Sequence, residues 1–258
     1  MADEVLSSLD SGILALTIDR PERRNALNHA VFQGLSKALR EAAENRAVRV
    51  VTLTGAGDKV FCAGIDLKSS IEEEAGGAAF SPSDYRKLLL EILHCPKPTV
   101  ALARGHVTAG GLGILLACDL ALACDDIHFS TPEILVGMFP MMLLALLYGH
   151  VGRKKSTEML FLGERLPAAA AMESGIVNHL YPRDRFEAEA GRLVRSLSEK
   201  SSSILRLGKE AILHVEGRAL REDLAYLESA LARVMSCADS KEGMRAFVEK
   251  RKPQWQDE

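Results

Sequence analysis

Three short stretches hold the residue types from which a reaction could be built. Gly110, Gly111 and Gly113 stand where an apolar helix should begin, just after an apolar run from Thr99 to Leu102 that reads as a buried strand. A strand passing through glycines into a helix N-terminus leaves backbone N–H groups free, with the positive end of the helix dipole behind them. Such a site takes negative charge, either a phosphate or an oxyanion that forms only during reaction. Gly64-Ile65-Asp66 makes a second bend of the same kind. Two such donors converging on one carbonyl oxygen would form an oxyanion hole. Glu133 follows Thr131-Pro132, a short rigid approach that could present its side chain to a pocket. In an apolar pocket its pKa would rise, and it could take a proton from carbon next to a polarised carbonyl. The plainer alternative is a carboxylate resting on the free N–H groups of a helix start.

Other chemistries lack their motifs. Gly111-Leu112-Gly113 runs into Ile114, Leu115 and Leu116, so the third glycine of a dinucleotide fingerprint is absent. No lysine-serine or lysine-threonine pair closes the glycine run, which excludes a P-loop, and no G-x-S-x-G elbow occurs. The histidines show neither H-x-x-x-H nor H-E-x-x-H spacing, so no metal site is expected. His106 could face a pocket, but a single histidine beside a strand is more often a hydrogen-bonded core residue. Asp119, after Cys118, reads as structural.

The elements that must position these groups alternate along the chain. Gly12–Asp19 and Val48–Thr54 read as strands, as does Leu120–Cys124. Leu27, Val31, Leu35 and Leu39, widened by Phe32, form the buried stripe of a helix that Asn25 is placed to cap. Tyr85–Leu93 has helical spacing, and Met138–Val151 reads as a buried helix, too short to cross a bilayer. Glu72, Glu73 and Glu74 with Gly76-Gly77 suggest a solvated loop. From about Phe186 the pattern is almost wholly helical. Strand–helix units followed by a helical tail predict an α/β core, residues 1–198, with a C-terminal helical region, 199–258. So many apolar residues in that tail should cover its own core or a neighbouring subunit.

Composition narrows the partners. The 258 residues are 47% hydrophobic and 26% charged, with a formal net charge of -3, which argues against a nucleic-acid surface. Five scattered cysteines without a C-x-x-C pair read as free thiols in a reducing compartment. The acidic N-terminus has neither the apolar core of a signal peptide nor the arginines of a transit peptide, so a cytoplasmic protein without membrane contact is expected.

Taken together, the segments RPERRNALN at 20–28, FCAGIDL at 61–67, GHVTAGGLGILLACDL at 105–120 and STPEILVG at 130–137 resemble the crotonase superfamily, the enoyl-CoA hydratases and isomerases. The late SGIVNHLYP and the terminal SKEGMRAFVEKRKPQW fit the same family, so the resemblance runs from about residue 10 to 255. It implies a spiral of ββα units with a C-terminal helical region that mediates trimers or hexamers. It also implies a coenzyme A thioester as substrate and no separate cofactor. By position, the N–H groups of Ile65 and Gly110 would form the oxyanion hole. Arg24, Ala26, Leu27, Ala63, Gly64, Asp66, Leu67, Gly111, Pro132 and Met141 would lie along the acyl-CoA. Lys68 would reach the coenzyme A phosphates, with plain solvation the alternative; Asp66 could equally be structural, capping a helix after the bend.

Two departures from the family pattern carry functional weight. Family hydratases have a glutamate where this chain has Gly113 and a second where it has Glu133. Glycine is neither acid nor base, so half of the hydration pair is missing. After Gly137 the chain reads MFPMMLLALLYGHVG in place of a glycine-rich turn, and its methionines would make the acyl pocket apolar and adaptable. The resemblance with Gly113 points to an isomerase in which Glu133 alone shuttles a proton. A hydratase or lyase using one glutamate, and an inactive acyl-CoA-binding homologue, remain the alternatives.

Overall fold

The structure is a computed structural model that describes residues 4–67 and 81–254, those of 216–221 by backbone alone. The acidic stretch Glu72–Glu74 and Lys68 lie outside the described residues.

Two sheets form the frame. The larger contains β1 (Val5–Asp10), β2 (Ile13–Ile18), β3 (Val50–Gly55), β5 (Thr99–Ala103), β7 (Leu120–Cys124) and β10 (His179–Tyr181), in that order across it. The smaller contains β4 (Val60–Cys62), β6 (His106–Thr108), β8 (His128–Ser130) and β9 (Arg165–Pro167). The β1–β2 hairpin and the β8–β9 pair are antiparallel, and all other pairings are parallel. Consecutive strands fall in alternate sheets: β3 then β4, β5 then β6, β7 then β8. Each such pair is followed by helix, which is the repeated ββα spiral. β3 and β5 are buried along almost their whole length, Thr52 and Thr99 included, since strands of a parallel sheet are covered on both faces.

The helices are α1 (His29–Glu44), α2 (Pro82–Leu93), α3 (Gly110–Ala117), α4 (Met141–His150), α5 (Arg153–Leu162), α6 (Ala168–Glu173), α7 (Phe186–Ser198), α8 (Ser202–Ser236) and α9 (Ala238–Glu249). In α1, Val31, Phe32, Leu35 and Leu39 are buried as their spacing predicts. Its cap differs from expectation. Asn28 accepts from the Val31 N–H at 2.9 Å, whereas Asn25 sits in the left-handed region at φ 54°. The Asn25 amide instead donates to the Ala56 and Val60 carbonyls at 3.0 and 2.7 Å, pinning the 20–28 loop to the β3–β4 turn. The strand β1 went unread in the sequence because its Ser-rich pattern exposes most of its residues.

The C-terminal helices cover their own core and leave part of their apolar surface exposed. Leu224, Leu227 and Leu231 of α8 pack into the central core, while Ile204, Leu207, Ile212 and Val215 are exposed. The proximal part of α8 is tethered by Lys209, whose buried ammonium lies 2.7 Å from Asp119 Oδ2. Thr99 donates its N–H and hydroxyl to that same oxygen at 2.7 and 2.9 Å, which bears out a structural role for Asp119. Among the described residues, no helix is long and apolar enough to cross a membrane.

Candidate active site

The two glycine bends meet. Gly64 has a φ of +85°, and a β-carbon there would lie 2.5 Å from Ala109 Cβ and 2.9 Å from the Gly110 nitrogen. Only glycine lets the loop after β4 press against the start of α3. The Gly64 carbonyl accepts from Leu27 at 2.7 Å, and the Leu27 carbonyl accepts from Asp66 at 2.9 Å, so Ile65 is held in a short parallel bridge to residue 27. Gly110 is the first residue of α3, a position whose N–H has no intrahelical acceptor. Ala109 before it adopts φ 53° and ψ -130°, a conformation that costs an alanine energy and that its surroundings must enforce. One enforcing contact is its own N–H, which donates to the Ser130 carbonyl at 2.9 Å.

These bends open on a cavity of about 850 Å³. Of the residues expected along an acyl-CoA, Arg24, Ala26, Ala63, Ile65, Asp66, Leu67, Gly110, Pro132, Glu133 and Met141 line it. Three do not. Leu27 and Gly64 stand behind the wall and act through the backbone bridge. Gly111 is packed against β4, where a β-carbon would lie 2.5 Å from the Cys62 carbonyl oxygen. These three shape the wall from behind.

Glu133 sits in the 3-10 turn Pro132–Val136. Thr131 anchors that turn, its buried hydroxyl donating to the Met159 carbonyl at 2.6 Å. Behind it, α9 packs against the turn, with the Ser240 hydroxyl 2.9 Å from Met138 Sδ. Glu133 Oε2 is buried and has no hydrogen-bond partner among the described residues. Burial pushes its carboxyl up from 4.5 to about 7, its own backbone N–H working weakly the other way. A carboxylate so placed can gain or lose a proton near neutrality.

Asp66 lies in the same cavity under opposite conditions. Its Oδ2 is 3.0 Å from Arg20 Nη2, with both side chains buried. Arg20 also donates to the Ala26 carbonyl at 2.6 Å and lies 3.3 Å from Glu4 through Nε. Asp66 therefore ties the 20–28 loop to the bend.

Several lining residues were not legible as such. Tyr85 of α2 reaches the cavity from below α3, its hydroxyl donating to the Gly110 carbonyl at 2.7 Å. His106 lines the cavity with Nδ1 accepting from the His128 N–H at 3.1 Å, but it is exposed, which corrects the reading of it as a core residue. The distal end is apolar, walled by Met138, Phe139, Met142 and, from the C-terminal helices, Leu231, Met235 and Phe247. The methionine pattern after Gly137 announced the first group. The second could not be seen, because nothing local in α8 or α9 says that they fold back over the site.

The whole-chain comparisons agree with this fold. The family model described as enoyl-CoA hydratase/isomerase matches residues 8–258. The enoyl-CoA hydratase domain-containing protein 3, mitochondrial, of Mus musculus is 32% identical over 247 residues, 95% of this chain and 81% of the relative. An enoyl-CoA hydratase from Mycobacterium avium subsp. paratuberculosis superposes with a TM-score of 0.89 at 30% identity, covering 98% of this chain and 99% of that one. A carnitinyl-CoA hydratase from Mycobacterium avium superposes with a TM-score of 0.90 at 28% identity, each chain covered completely. With its alternating sheets, paired glycine bends and buried glutamate, the chain belongs to the enoyl-CoA hydratase/isomerase family of the crotonase superfamily.

Proposed function

We propose that this protein is an enoyl-CoA isomerase that moves a β,γ double bond to the α,β position. The thioester oxygen accepts hydrogen bonds from the Ile65 and Gly110 N–H groups. Glu133 removes a proton from the α-carbon, the charge passes to the oxygen as an enolate, and the same carboxyl returns the proton at the γ-carbon. One base then serves both ends of the shift, and no atom of water enters the product. Each amide donor aimed at the enolate oxygen is worth about 3–4 kcal/mol of barrier, judged from single-donor deletions in other enzymes.

The observation that carries this reading is a buried carboxyl in the cavity wall whose Oε2 has no hydrogen-bond partner among the described residues. Glu133 faces the cavity with a pKa near 7, while residue 113 has no side chain. The apolar distal wall supports an unsubstituted hydrocarbon acyl chain, with methionines adapting to its shape. Arg24, an exposed residue of the cavity lining, supports contact with the coenzyme A portion. The exposed apolar residues of α8 support self-association as a trimer or a dimer of trimers, which light scattering would measure. Four of the five cysteines are buried as free thiols, which supports the cytoplasm as its compartment.

Purified protein given a 3-enoyl-CoA should yield the 2-enoyl-CoA, and Glu133→Gln should abolish the conversion. Efficient hydration of crotonyl-CoA by a wild type inert toward 3-enoyl-CoA would overturn the proposal. The second reading, a hydratase working with one glutamate, is favoured by the hydratase names of the relatives. Product analysis in heavy-oxygen water separates the two.

A further inference from the structure

Tyr85 and Gly113 share one place. The Tyr85 ring is 5% exposed and lies 6.1 Å from the Phe32 ring, centroid to centroid. Its hydroxyl is directed at the Gly110 carbonyl, 2.7 Å away. A β-carbon on Gly113 would overlap that hydroxyl oxygen and lie 3.1 Å from Tyr85 Cζ and 3.7 Å from Leu89 Cδ2. Residue 113 therefore lacks more than a carboxylate. The volume in which any side chain at 113 would start is filled by a phenol reaching across from α2.

That phenol is neutral at ordinary pH. Burial, and after it the negative potential of Glu133, hold its pKa well above the usual tyrosine value. Its one proton points at the Gly110 carbonyl, so it has no proton to give a reacting carbon without releasing α3. It is also far too weak a base to activate water. What it can do is hold and exclude. The Gly110–Gly111 peptide it grips adjoins the Ala109–Gly110 peptide, whose N–H is the proposed oxyanion donor and whose alanine is strained. Without a clamp, that strain would favour rotation of the donor away from the thioester.

We propose that Tyr85 is a positioning and specificity residue: lodged in the gap left by Gly113, it fixes the turn that presents the Gly110 amide. It also closes to water the wall from which a second carboxylate would act. The site then transfers protons along an acyl chain and does not add water across its double bond. The inference rests on the isomerase reading above and extends it to the residue that enforces the outcome.

The test uses full-length Tyr85→Phe, Tyr85→Ala, Gly113→Ala and the Tyr85→Phe/Gly113→Ala double variant. Isomerisation of a 3-enoyl-CoA, heavy-oxygen incorporation from water into a 2-enoyl-CoA and thermal melting are the readouts. Tyr85→Phe should lose about tenfold in kcat with KM within about twofold, as expected for one lost orienting hydrogen bond. Tyr85→Ala opens room for water beside polar groups and should yield labelled 3-hydroxyacyl-CoA that the wild type does not form. Gly113→Ala should lower the melting temperature, and lower it less in the Tyr85→Phe background, where no hydroxyl meets the new methyl. Wild-type kcat, KM and labelling in both Tyr85 variants would overturn the role. Equal destabilisation by Gly113→Ala in the two backgrounds would overturn the shared place. A wild type that does not shift the double bond refutes the isomerase reading, while the melting cycle still decides whether Tyr85 and Gly113 are coupled.

Discussion

Glu133 and Asp66 are two carboxylates of one cavity, and they differ in what surrounds them. Asp66 is met by the Arg20 guanidinium at 3.0 Å, and its backbone N–H is bound to the Leu27 carbonyl. Glu133 Oε2 is buried with no hydrogen-bond partner among the described residues. A buried charge with its counter-charge in place is committed to holding chain segments together. A buried carboxyl without one is held in a costly state that folding alone does not explain. The contrast in environment separates the two roles in the same sense as the family motifs do.

The sharpest way to break the comparison is to neutralise each carboxyl in turn. Glu133→Gln should lower isomerisation by about two to four orders of magnitude, the range for a positioned general acid–base, while unfolding in denaturant is unchanged or shifted slightly toward higher stability at pH 8. Asp66→Ala should do the reverse. It takes one of two carboxylates from the buried Arg20 guanidinium, Glu4 remaining 3.3 Å from Nε, and should cost up to about 3–5 kcal/mol of folding stability, the range for breaking a buried pair from one side. Urea unfolding followed by circular dichroism reads that loss, and kcat measured well below the new midpoint should move far less than in Glu133→Gln. If Glu133→Gln destabilises as much as Asp66→Ala and leaves kcat intact, Glu133 is the structural residue of the two.

The pH dependence sharpens the same contrast. Glu133 titrates at 4.5 in the unfolded chain and at about 7 in the folded one. Between those values the native state holds a proton that the unfolded state has lost. The stabilising contribution of this group is full below 4.5, falls as pH rises toward 7 and is gone above it. Activity should run the opposite way, because abstraction needs the carboxylate: kcat/KM should rise with pH through an apparent pKa near 7. In Glu133→Gln the stability difference between pH 5 and pH 8 should shrink, as measured by melting at both values. An unchanged difference would mean that the raised pKa belongs to another group.

Much of this was legible before the structure. The glycine bends are local in sequence, because the φ and close-approach requirements of a backbone bend select glycine within a few residues, whereas the missing acid at 113 could be read only through the resemblance to the family. The stripe of α1 was legible for the same kind of reason, one face and one period. What failed was everything set by contact at a distance. Asn25 and Asn28 are both adequate caps by type, and only the approach of the β3–β4 turn assigns Asn25 to the loop. Tyr85 looked like one more apolar position of an amphipathic helix, since its partner at Gly113 is 28 residues away and offers no side chain to read. The small sheet escaped because strands of three residues are too short to show alternation. Leu231, Met235 and Phe247 line the site through a tertiary fold-back that no periodicity encodes.

The smallest effect tests how the donor half of the site is held. Ala109 carries φ 53° at the entrance to α3, one residue before the proposed donor Gly110. Backbone strain of this kind costs about 1–3 kcal/mol at a non-glycine residue, and glycine relieves part of it at the expense of a more mobile unfolded chain. Ala109→Gly should therefore gain up to about 1 kcal/mol, seen as a rise of about 2–4 °C in Tm. The same relief frees the Ala109–Gly110 peptide to rotate. Isomerisation should then slow by a few-fold, with KM for the acyl-CoA little altered, because the lost alignment is felt mainly by the enolate oxygen. A more stable and slower enzyme would mean that strain at Ala109 is maintained by the surrounding contacts for the sake of the donor. A less stable one would mean that the alanine methyl, which abuts Gly64 across the two bends, contributes more packing than its conformation costs.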